Sequence, residues 1–226
     1  MPVPTTEEIA ERFKKLYVPA VADILDKKGL WHQLLPKEIM PLDDDMKVAG
    51  PAFTAKGHPT AGLDIGIGPR ILEEFTPGCV AVWDTSGDQD VGHWGELMSN
   101  SAMSKGCVGA VIDGGIRDTG YIRKLGFNVF SKFRNAADAV GRWTIVAMNV
   151  PVKIGNVLVH PGDYIFGDLD GVVVIPKDIV MEVLVEAEAV VAAESEIRVA
   201  VANGAPLADL YNKFKLLDRP SGADKG

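Results

Sequence analysis

The segment between residues 79 and 130 alternates apolar runs with helical stretches, and this order constrains the fold more than any other feature of the chain. Three runs have the length and β-branched or aromatic content of buried strands: Cys79–Asp84, Val108–Ile112 and Phe127–Phe130. The helices between them are predicted at Glu96–Lys105 and Thr119–Leu125. A strand–helix–strand–helix–strand order predicts βαβ units and a partly parallel sheet.

The pattern changes character after residue 142. Five short apolar runs follow, at Trp143–Val150, Val152–Ile154, Asn156–Val159, Tyr164–Gly167 and Gly171–Ile175. Glycine, proline and aspartate separate them, which is typical of tight turns between antiparallel strands. The sequence therefore predicts an α/β fold with a mixed sheet, or with two layers of sheet, and with helices outside.

Helices are predicted at both ends of the chain. Thr5 or Thr6 can cap a first helix, because acidic residues follow in its first turn. A long helix is expected from Pro176-Lys177-Asp178 to about Ala202, with an apolar stripe at helical spacing. We expect an α/β catalytic domain over residues 1–177, a helical arm over 178–218 and a disordered tail over 219–226.

Composition excludes several classes of protein. The chain has 226 residues and a formal net charge of −8, which argues against a nucleic-acid-binding surface. No apolar run reaches the roughly 18–20 residues of a membrane span, and the first residues do not resemble a signal peptide. Cys79 and Cys107 lack metal-site spacing and are expected as buried thiols. These features predict a cytoplasmic protein without nucleic-acid or membrane partners.

Three charged residues could meet at one edge of the sheet. Glu96 begins a helix that follows one predicted strand, and Arg117 and Asp118 follow the next. Ligands of α/β folds bind at the carboxyl ends of strands. Arg117 could bind a carboxylate or an enolate oxygen, Asp118 could bind Mg²⁺ or Mn²⁺, and the amides of the helix start could bind an anion. Residue types alone leave a structural Arg–Asp pair as the alternative.

A resemblance to a known family adds to this interpretation. Glu96 is followed, after twenty residues, by Arg117-Asp118. This spacing resembles the acid-X20-Arg-Asp signature of the 4-hydroxy-4-methyl-2-oxoglutarate aldolases, class II pyruvate aldolases that are similar in fold to the regulator of ribonuclease activity A. Other segments of the sequence are also similar to this family, notably Val111–Asp118, Val159–Asp163 and Asp170–Pro176. The likeness extends from about residue 18 to residue 204.

The resemblance implies roles for individual residues. Asp118 would bind a divalent metal, Mg²⁺ or Mn²⁺, and Arg117 would hold pyruvate and stabilise its enolate. Glu96 would orient water or move a proton. The backbone amides of Leu97 and Met98, next to Gly95, would receive the pyruvate carboxylate. A glutamate from a neighbouring subunit would complete the site.

Glu194 is the candidate for this last role, because it lies on the apolar stripe of the long helix. An intrahelical pair with Arg198 is the alternative. The same resemblance implies a swivelling β/β/α domain and a homotrimer or homohexamer.

The expected function is a metal-dependent aldolase, a lyase that cleaves a 4-hydroxy-2-oxo acid to pyruvate, with oxaloacetate decarboxylase side activity. An enzyme acting on a sugar-acid-derived oxo acid and a non-catalytic regulator-like binding protein are the alternatives. The chain departs from the family at two places. Glu96 stands where aspartate is usual, and Leu63-Asp64-Ile65 stands where Gly-Asp-Asn is usual. The regulator branch generally lacks the acid, so Glu96 favours an enzyme.

Overall fold

The computed structural model describes residues 4–62 and 67–214. The helices are α1 (Thr6–Phe13), α2 (Val18–Lys27), α3 (Gly68–Ile71), α4 (Glu96–Ser104), α5 (Thr119–Leu125), α6 (Val180–Ala202) and α7 (Leu207–Phe214). Single 3-10 turns at Leu72–Glu74 and Lys177–Ile179 follow α3 and precede α6. The expected tail at 219–226 and the variant loop Leu63-Asp64-Ile65 lie outside the described residues.

The strands are β1 (Met40–Pro41), β2 (Val48–Pro59), β3 (Val80–Asp84), β4 (Gly92–Trp94), β5 (Gly109–Ile116), β6 (Asn128–Arg134), β7 (Trp143–Met148), β8 (Val152–Ile154), β9 (Val157–Val159), β10 (Tyr164–Asp168) and β11 (Gly171–Ile175). In the described ranges, nine of them form one mixed sheet in the order β1-β6-β5-β3-β2-β10-β11, with β4 on β5 and β7 on β2. Strands β2, β3, β5 and β6 pair in parallel, and β10 pairs antiparallel with both β2 and β11. The predicted mixed sheet is confirmed.

The sheet curls until its two edges nearly meet. The segment just before β1 bridges to β11, where Leu34 pairs with Val173 and the Leu35 N–H donates to the Val172 carbonyl. The enclosed space is filled by apolar side chains, among them Trp83, Ile112 and Phe130, each without exposed surface. This barrel-like sheet places the carboxyl ends of β3 and β5 side by side.

Pro51 lies in the stretch Val48–Lys56, where the sequence predicts a strand, and a proline there predicts an edge strand or a bulge. For Pro51 that prediction is wrong. It lies inside β2, which has partners on both sides. Pairing with β3 begins one residue later, at Ala52. On the β10 side it is Ala52 that donates its N–H to the Asp163 carbonyl and accepts from Gly162. A proline is tolerated at Pro51 because the sheet requires no N–H donor at that position.

The terminal helices pack together on the outer face of the sheet. Thr5 caps α1 in a capping box with Glu8, which confirms the predicted helix start. The first half of α6 buries Val183, Leu184 and Ala187 against α2 and the strands beneath it. Further along α6, Val199 and Val201 are exposed. The long helix therefore covers its own subunit only in part.

Both cysteines are buried free thiols, as expected, at 2% and 4% exposure for Cys79 and Cys107. Within residues 4–62 and 67–214, no helix is both long enough and apolar enough to cross a membrane.

Candidate active site

Strand β4 positions the candidate site, and the sequence analysis did not predict it. Strand β5 pairs with β3 as far as Ile112, and from Gly115 onward it pairs with β4 instead. The Arg117 N–H then donates to the Trp94 carbonyl, at 2.9 Å. Because β5 pairs first with β3 and then with β4, its last residues extend beyond the end of β3. Arg117 therefore lies beside β4 and the start of α4.

Asp118 has a left-handed backbone conformation, with φ 57°, that is uncommon for residues other than glycine. It occupies the N-cap position of α5, yet its carboxylate makes no capping hydrogen bond to that helix. Instead, Oδ2 accepts from the Glu96 N–H at 3.3 Å. The carboxylate is therefore directed across the strand ends to the start of α4, and 41% of the side chain remains exposed.

The Arg117 guanidinium lies between two carboxylates. Nη1 is 3.3 Å from Asp138 Oδ1, and Nε is 3.7 Å from Asp118 Oδ2. The same Asp138 oxygen accepts from the Val140 N–H, which fixes the carboxylate on its loop. Gly92 leaves room for the Arg117 side chain, because a Cβ on Gly92 would lie 3.0 Å from the Cβ of Arg117. Arg117 keeps about a third of its side chain exposed and can still contact a ligand.

Helix α4 begins without a capping side chain. Its N-cap residue is Gly95, which has no side chain that could accept from the first-turn N–H groups. An α-helix leaves its first N–H groups without partners inside the helix. The N–H of Glu96 donates to Asp118, whereas Leu97 and Met98 line the open cavity. Backbone N–H groups in this position, at the positive end of a helix dipole, are suited to an anion.

These groups open onto one cavity of about 430 Å³, within the usual range for a small-molecule site. Arg117, Asp118 and Asp138 supply the charged part of its lining. Apolar side chains from the turn after α3 and from β7 form much of the remaining wall, including Leu72 and Ile145. The sheet edge thus combines a polar corner with an apolar wall.

His93 and Trp143 also line this cavity. His93 Nδ1 accepts from the Gly115 N–H at 3.2 Å, so the neutral ring carries its proton on Nε2, which lies 3.0 Å from Asp88 Oδ1. Burial lowers the pKa of His93, although Asp88 opposes the shift. His93 packs edge-on against the Trp143 ring. A neutral His93 with both nitrogens engaged is a structural support of the wall.

The predicted site residues are only partly brought together. Gly95, Leu97, Met98, Arg117 and Asp118 lie around the cavity. Glu96 contributes its N–H, while its carboxylate accepts from Asn100 Nδ2 at 3.1 Å on the same helix. Its proposed proton-transfer role stays a prediction.

Glu194 lies on α6 and pairs with Arg198 at 3.3 Å, as in the alternative interpretation. Its role in a neighbouring subunit's site is likewise a prediction. Asp138 and Trp143 were not singled out from the sequence as site residues. Residues in neighbouring strands and loops come together only through the sheet register, so their spacing along the chain contained no signal.

The residues present fit one type of metal site. Across the described parts of the chain, no three histidine, cysteine or carboxylate side chains lie close enough together to hold a metal ion. Mg²⁺, however, is often bound through one or two carboxylates and completes its shell with water and substrate oxygens. Asp118 offers such a carboxylate, open to the cavity and with unused acceptor capacity. The site suits magnesium or manganese and does not suit a zinc site built from several protein ligands.

The fold and this cavity define a class of protein. A family model described as RraA-like, Aldolase/RraA, matches residues 18–174. The chain belongs to this family.

Two relatives are similar to this chain over most of its length. The chain is 36% identical over 169 residues to a protein of Halalkalibacterium halodurans named "Putative 4-hydroxy-4-methyl-2-oxoglutarate aldolase", covering 74% of this chain and 75% of that protein. It is 32% identical over 189 residues, or 83% of its length, to Protein DlpA of Legionella pneumophila, but spans only 30% of the length of DlpA.

A similar solved structure has a description that names a different function, inhibition of a ribonuclease. It is Streptomyces coelicolor RraAS2, described as an unusual member of the RNase ES inhibitor RraA protein family. It matches with a TM-score of 0.77 and 29% identity, over 88% of this chain and 98% of that chain. The regulator-like fold is therefore confirmed, and the relatives include a protein named as a putative aldolase and a member of an RNase inhibitor family.

Proposed function

We propose that the protein is a divalent-metal-dependent pyruvate aldolase that cleaves a 4-hydroxy-2-oxo acid to pyruvate and a carbonyl compound. One observation carries the proposal: the Arg117 guanidinium, the Asp118 carboxylate and the first-turn residues Leu97 and Met98 line a single cavity. A 2-oxo acid presents a carboxylate and a ketone oxygen on adjacent carbons. The cavity offers amides for the first and a guanidinium for the second.

Each of these groups has a chemical task. The amides of Leu97 and Met98 bind the carboxylate and fix the orientation of the 2-oxo acid. Arg117 stabilises the negative charge that develops on the ketone oxygen as the enolate of pyruvate forms. Held by Asp118, Mg²⁺ or Mn²⁺ would act as a Lewis acid on the 2-oxo group. Asp138 holds the guanidinium in place through its 3.3 Å contact.

Cleavage of the bond between C3 and C4 also requires removal of the proton of the 4-hydroxyl group. Glu96 is the candidate for moving this proton through water, because its backbone N–H donates a hydrogen bond to Asp118 Oδ2. Its carboxylate accepts from Asn100 and is oriented along α4. A carboxylate can transfer a proton to or from a substrate through an intervening water.

Oxaloacetate provides the first test, because its decarboxylation passes through the same pyruvate enolate. We expect pyruvate release in the presence of Mg²⁺ and its loss on addition of a chelator. Absence of activity towards oxaloacetate and towards a panel of 4-hydroxy-2-oxo acids, with Mn²⁺ confirmed bound by calorimetry, would contradict the proposal. The panel would also separate the preferred reaction from that of an enzyme acting on sugar-acid-derived oxo acids.

A non-catalytic regulator is the second candidate. It is favoured by the similarity to RraAS2 and by the Glu96 carboxylate, which is engaged by Asn100. A binding protein of this kind would show no turnover with any 2-oxo acid. Inhibition of ribonuclease E by the purified protein would support this candidate.

We further propose that the protein is a homotrimer, or a hexamer of two trimers, in which α6 and the following helix pack on a neighbouring subunit. Val185, Val199 and Val201 are exposed on α6, and Leu97 beside the cavity is 78% exposed. Contact with another subunit would bury these side chains and could bring Glu194 to the site. Sedimentation should show a trimer or hexamer, and a fully active monomer would contradict this arrangement.

A further inference from the structure

We infer that His93 is a positioning residue for the candidate active site. Its ring accepts the hydrogen bond that fixes the end of β5, the strand that leads into Arg117 and Asp118. The catalytic consequence rests on the proposed aldolase function, whereas the hydrogen bond itself does not depend on it.

The backbone of β5 lacks regular strand pairing at the point where it changes partners. Pairing with β3 ends at Ile112, and pairing with β4 begins at Gly115. The register between β4 and β5 also shifts between Gly92 and Trp94, which is the position of His93. Buried backbone N–H and C=O groups in such a gap need other hydrogen-bond partners.

Two buried side chains supply these partners. The Thr85 hydroxyl donates to the Asp113 carbonyl at 2.8 Å, and His93 Nδ1 accepts from the Gly115 N–H at 3.2 Å. Thr85 and His93 are 0% and 3% exposed. Because both side chains are shielded from solvent, loss of either bond would leave a backbone group of β5 without a partner, at a cost in free energy.

Two glycines allow the imidazole to lie directly against β5. A Cβ on Gly114 would lie 2.7 Å from His93 Nδ1, and a Cβ on Gly115 would lie 2.6 Å from the Val91 carbonyl oxygen. No side chain of these two residues separates His93 from the β5 backbone. A shift of the ring would therefore change the path of the strand.

Asp88 keeps Nδ1 available as the acceptor. Its Oδ1 lies 3.0 Å from His93 Nε2 and also accepts from the Asp90 N–H at 3.1 Å. The Asp88 side chain is 6% exposed. A carboxylate at Nε2 holds the proton on that nitrogen, so the lone pair of Nδ1 is directed to Gly115. The Trp143 ring packs edge-on against the imidazole, with 4.8 Å between the ring centroids.

The chain beyond Gly115 leads directly to the site. Arg117 lies two residues and Asp118 three residues from the bond to His93. Backbone geometry over so short a distance sets the direction of both side chains, so a change at Gly115 should move them relative to the start of α4. Small misplacements of catalytic groups are costly.

Two substitutions of His93 separate the roles of its two nitrogens. Asparagine places its side-chain oxygen where Nδ1 lies, so His93→Asn can still accept from Gly115 but no longer reaches Asp88. Glutamine is longer and places its amide near the position of Nε2, so His93→Gln can still donate to Asp88 but leaves Gly115 without its acceptor. Both variants remove the ring and its contact with Trp143, so each is the control for the other.

Hydrogen–deuterium exchange of the Gly115 amide tests the hydrogen bond without any reaction. Mass spectrometry of peptides that contain Gly115 measures it in the intact protein. We expect faster exchange in His93→Gln than in the wild type, and protection close to that of the wild type in His93→Asn. Equal exchange in the two variants would overturn the inference, whether or not the protein is an aldolase.

Calorimetry with Mn²⁺ and kinetics with oxaloacetate test the positioning role. His93→Gln should lower Mn²⁺ affinity by about 10–100-fold, the range for groups that orient a metal ligand. It should also lower kcat, whereas His93→Asn should retain most of both. His32→Gln, at an exposed histidine, is the control for loss of a histidine elsewhere.

Two outcomes of these measurements have different meanings. Wild-type Mn²⁺ affinity and kcat in both His93 variants, together with lower melting temperatures, would show that His93 supports only the fold and would overturn the inference. A wild type that neither binds Mn²⁺ nor releases pyruvate would instead contradict the proposed aldolase function. The exchange experiment would then still decide whether His93 holds the end of β5.

Discussion

Gly95 and Asp118 are so close that a side chain at residue 95 would displace the carboxylate. A Cβ built on Gly95 would lie 2.6 Å from Asp118 Oδ2 and 3.3 Å from Arg117 Cγ. Glycine at the start of α4 thus allows Arg117 and Asp118, which follow β5, to contact the helix. Because the obstructing atom belongs to a side chain, a larger residue should move the carboxylate and leave the backbone in place.

Gly95→Ala should therefore weaken metal binding without unfolding the protein. We expect a loss of Mn²⁺ affinity of about 10–100-fold, the range for changes to groups that orient a metal ligand. Calorimetry with Mn²⁺ measures it, and thermal melting checks the fold. Gly120→Ala is the control, since a Cβ at Gly120 meets nothing within 4 Å. Equal affinities in the two variants would contradict the proposed role of Asp118.

Substitutions of Arg117 and Asp118 should have different effects on kcat and on metal affinity. Arg117→Ala should lower kcat by about 10²–10³-fold, the usual effect of removing one oxyanion-stabilising group. It should leave Mn²⁺ affinity close to that of the wild type, because the guanidinium acts on the enolate. Asp118→Ala should remove Mn²⁺ binding in the same calorimetric experiment. Wild-type metal affinity in both variants would rule out these roles.

Glu96→Gln keeps the size of the side chain and its hydrogen bond with Asn100 but removes its basicity. We expect a lower kcat at saturating Mg²⁺ and nearly unchanged metal affinity. Glu96→Asp, which has the family's usual residue, should also lower the rate, because small misplacements of catalytic groups are costly. A pH–rate profile of the wild type and Glu96→Gln tests the assignment. Identical profiles would show that Glu96 only supports α4.

His93 should make folding stability depend on pH. Burial holds the pKa of His93 below its ordinary value of 6.5 in the folded protein. The unfolded chain therefore binds a proton at a higher pH than the folded protein does. The stability contribution is complete above about pH 6.5 and is lost as the pH falls through the lower folded-state pKa.

Melting temperatures measured between pH 7.5 and pH 5 test this sign. The decrease in the wild type should be larger than in His93→Gln, which cannot take up a proton there. His32→Gln is the control, because His32 is exposed. If His93→Gln loses as much melting temperature as the wild type over this range, another group causes the acid sensitivity.

Much of the fold follows from short-range patterns that the sequence contains directly. Thr5 and Glu8 stand at the spacing of a capping box, and they form one. The turns between the late strands use glycines with positive φ, such as Gly155 at 60° and Gly162 at 86°. These features depend on neighbours within a few residues, so they could be predicted without knowing how the chain folds.

Other features of the fold depend on which strands pair with each other in the folded protein. Strand β4 is only three residues long and has no pattern of its own; it exists because β5 needs a partner after leaving β3. Pro51 was misinterpreted because its tolerance depends on where the neighbouring strands begin.

The chemistry of the site divides in the same way. The sequence by itself determined the family, the βαβ core and the adjacency of Arg117 and Asp118, since each rests on local order along the chain. Only the tertiary structure decided that Asp118 contacts the start of α4, that Asp138 pairs with Arg117 and that Trp143 faces His93. Those contacts join residues that are distant in sequence, and their distances are set by sheet register and by the backbone conformation of single residues.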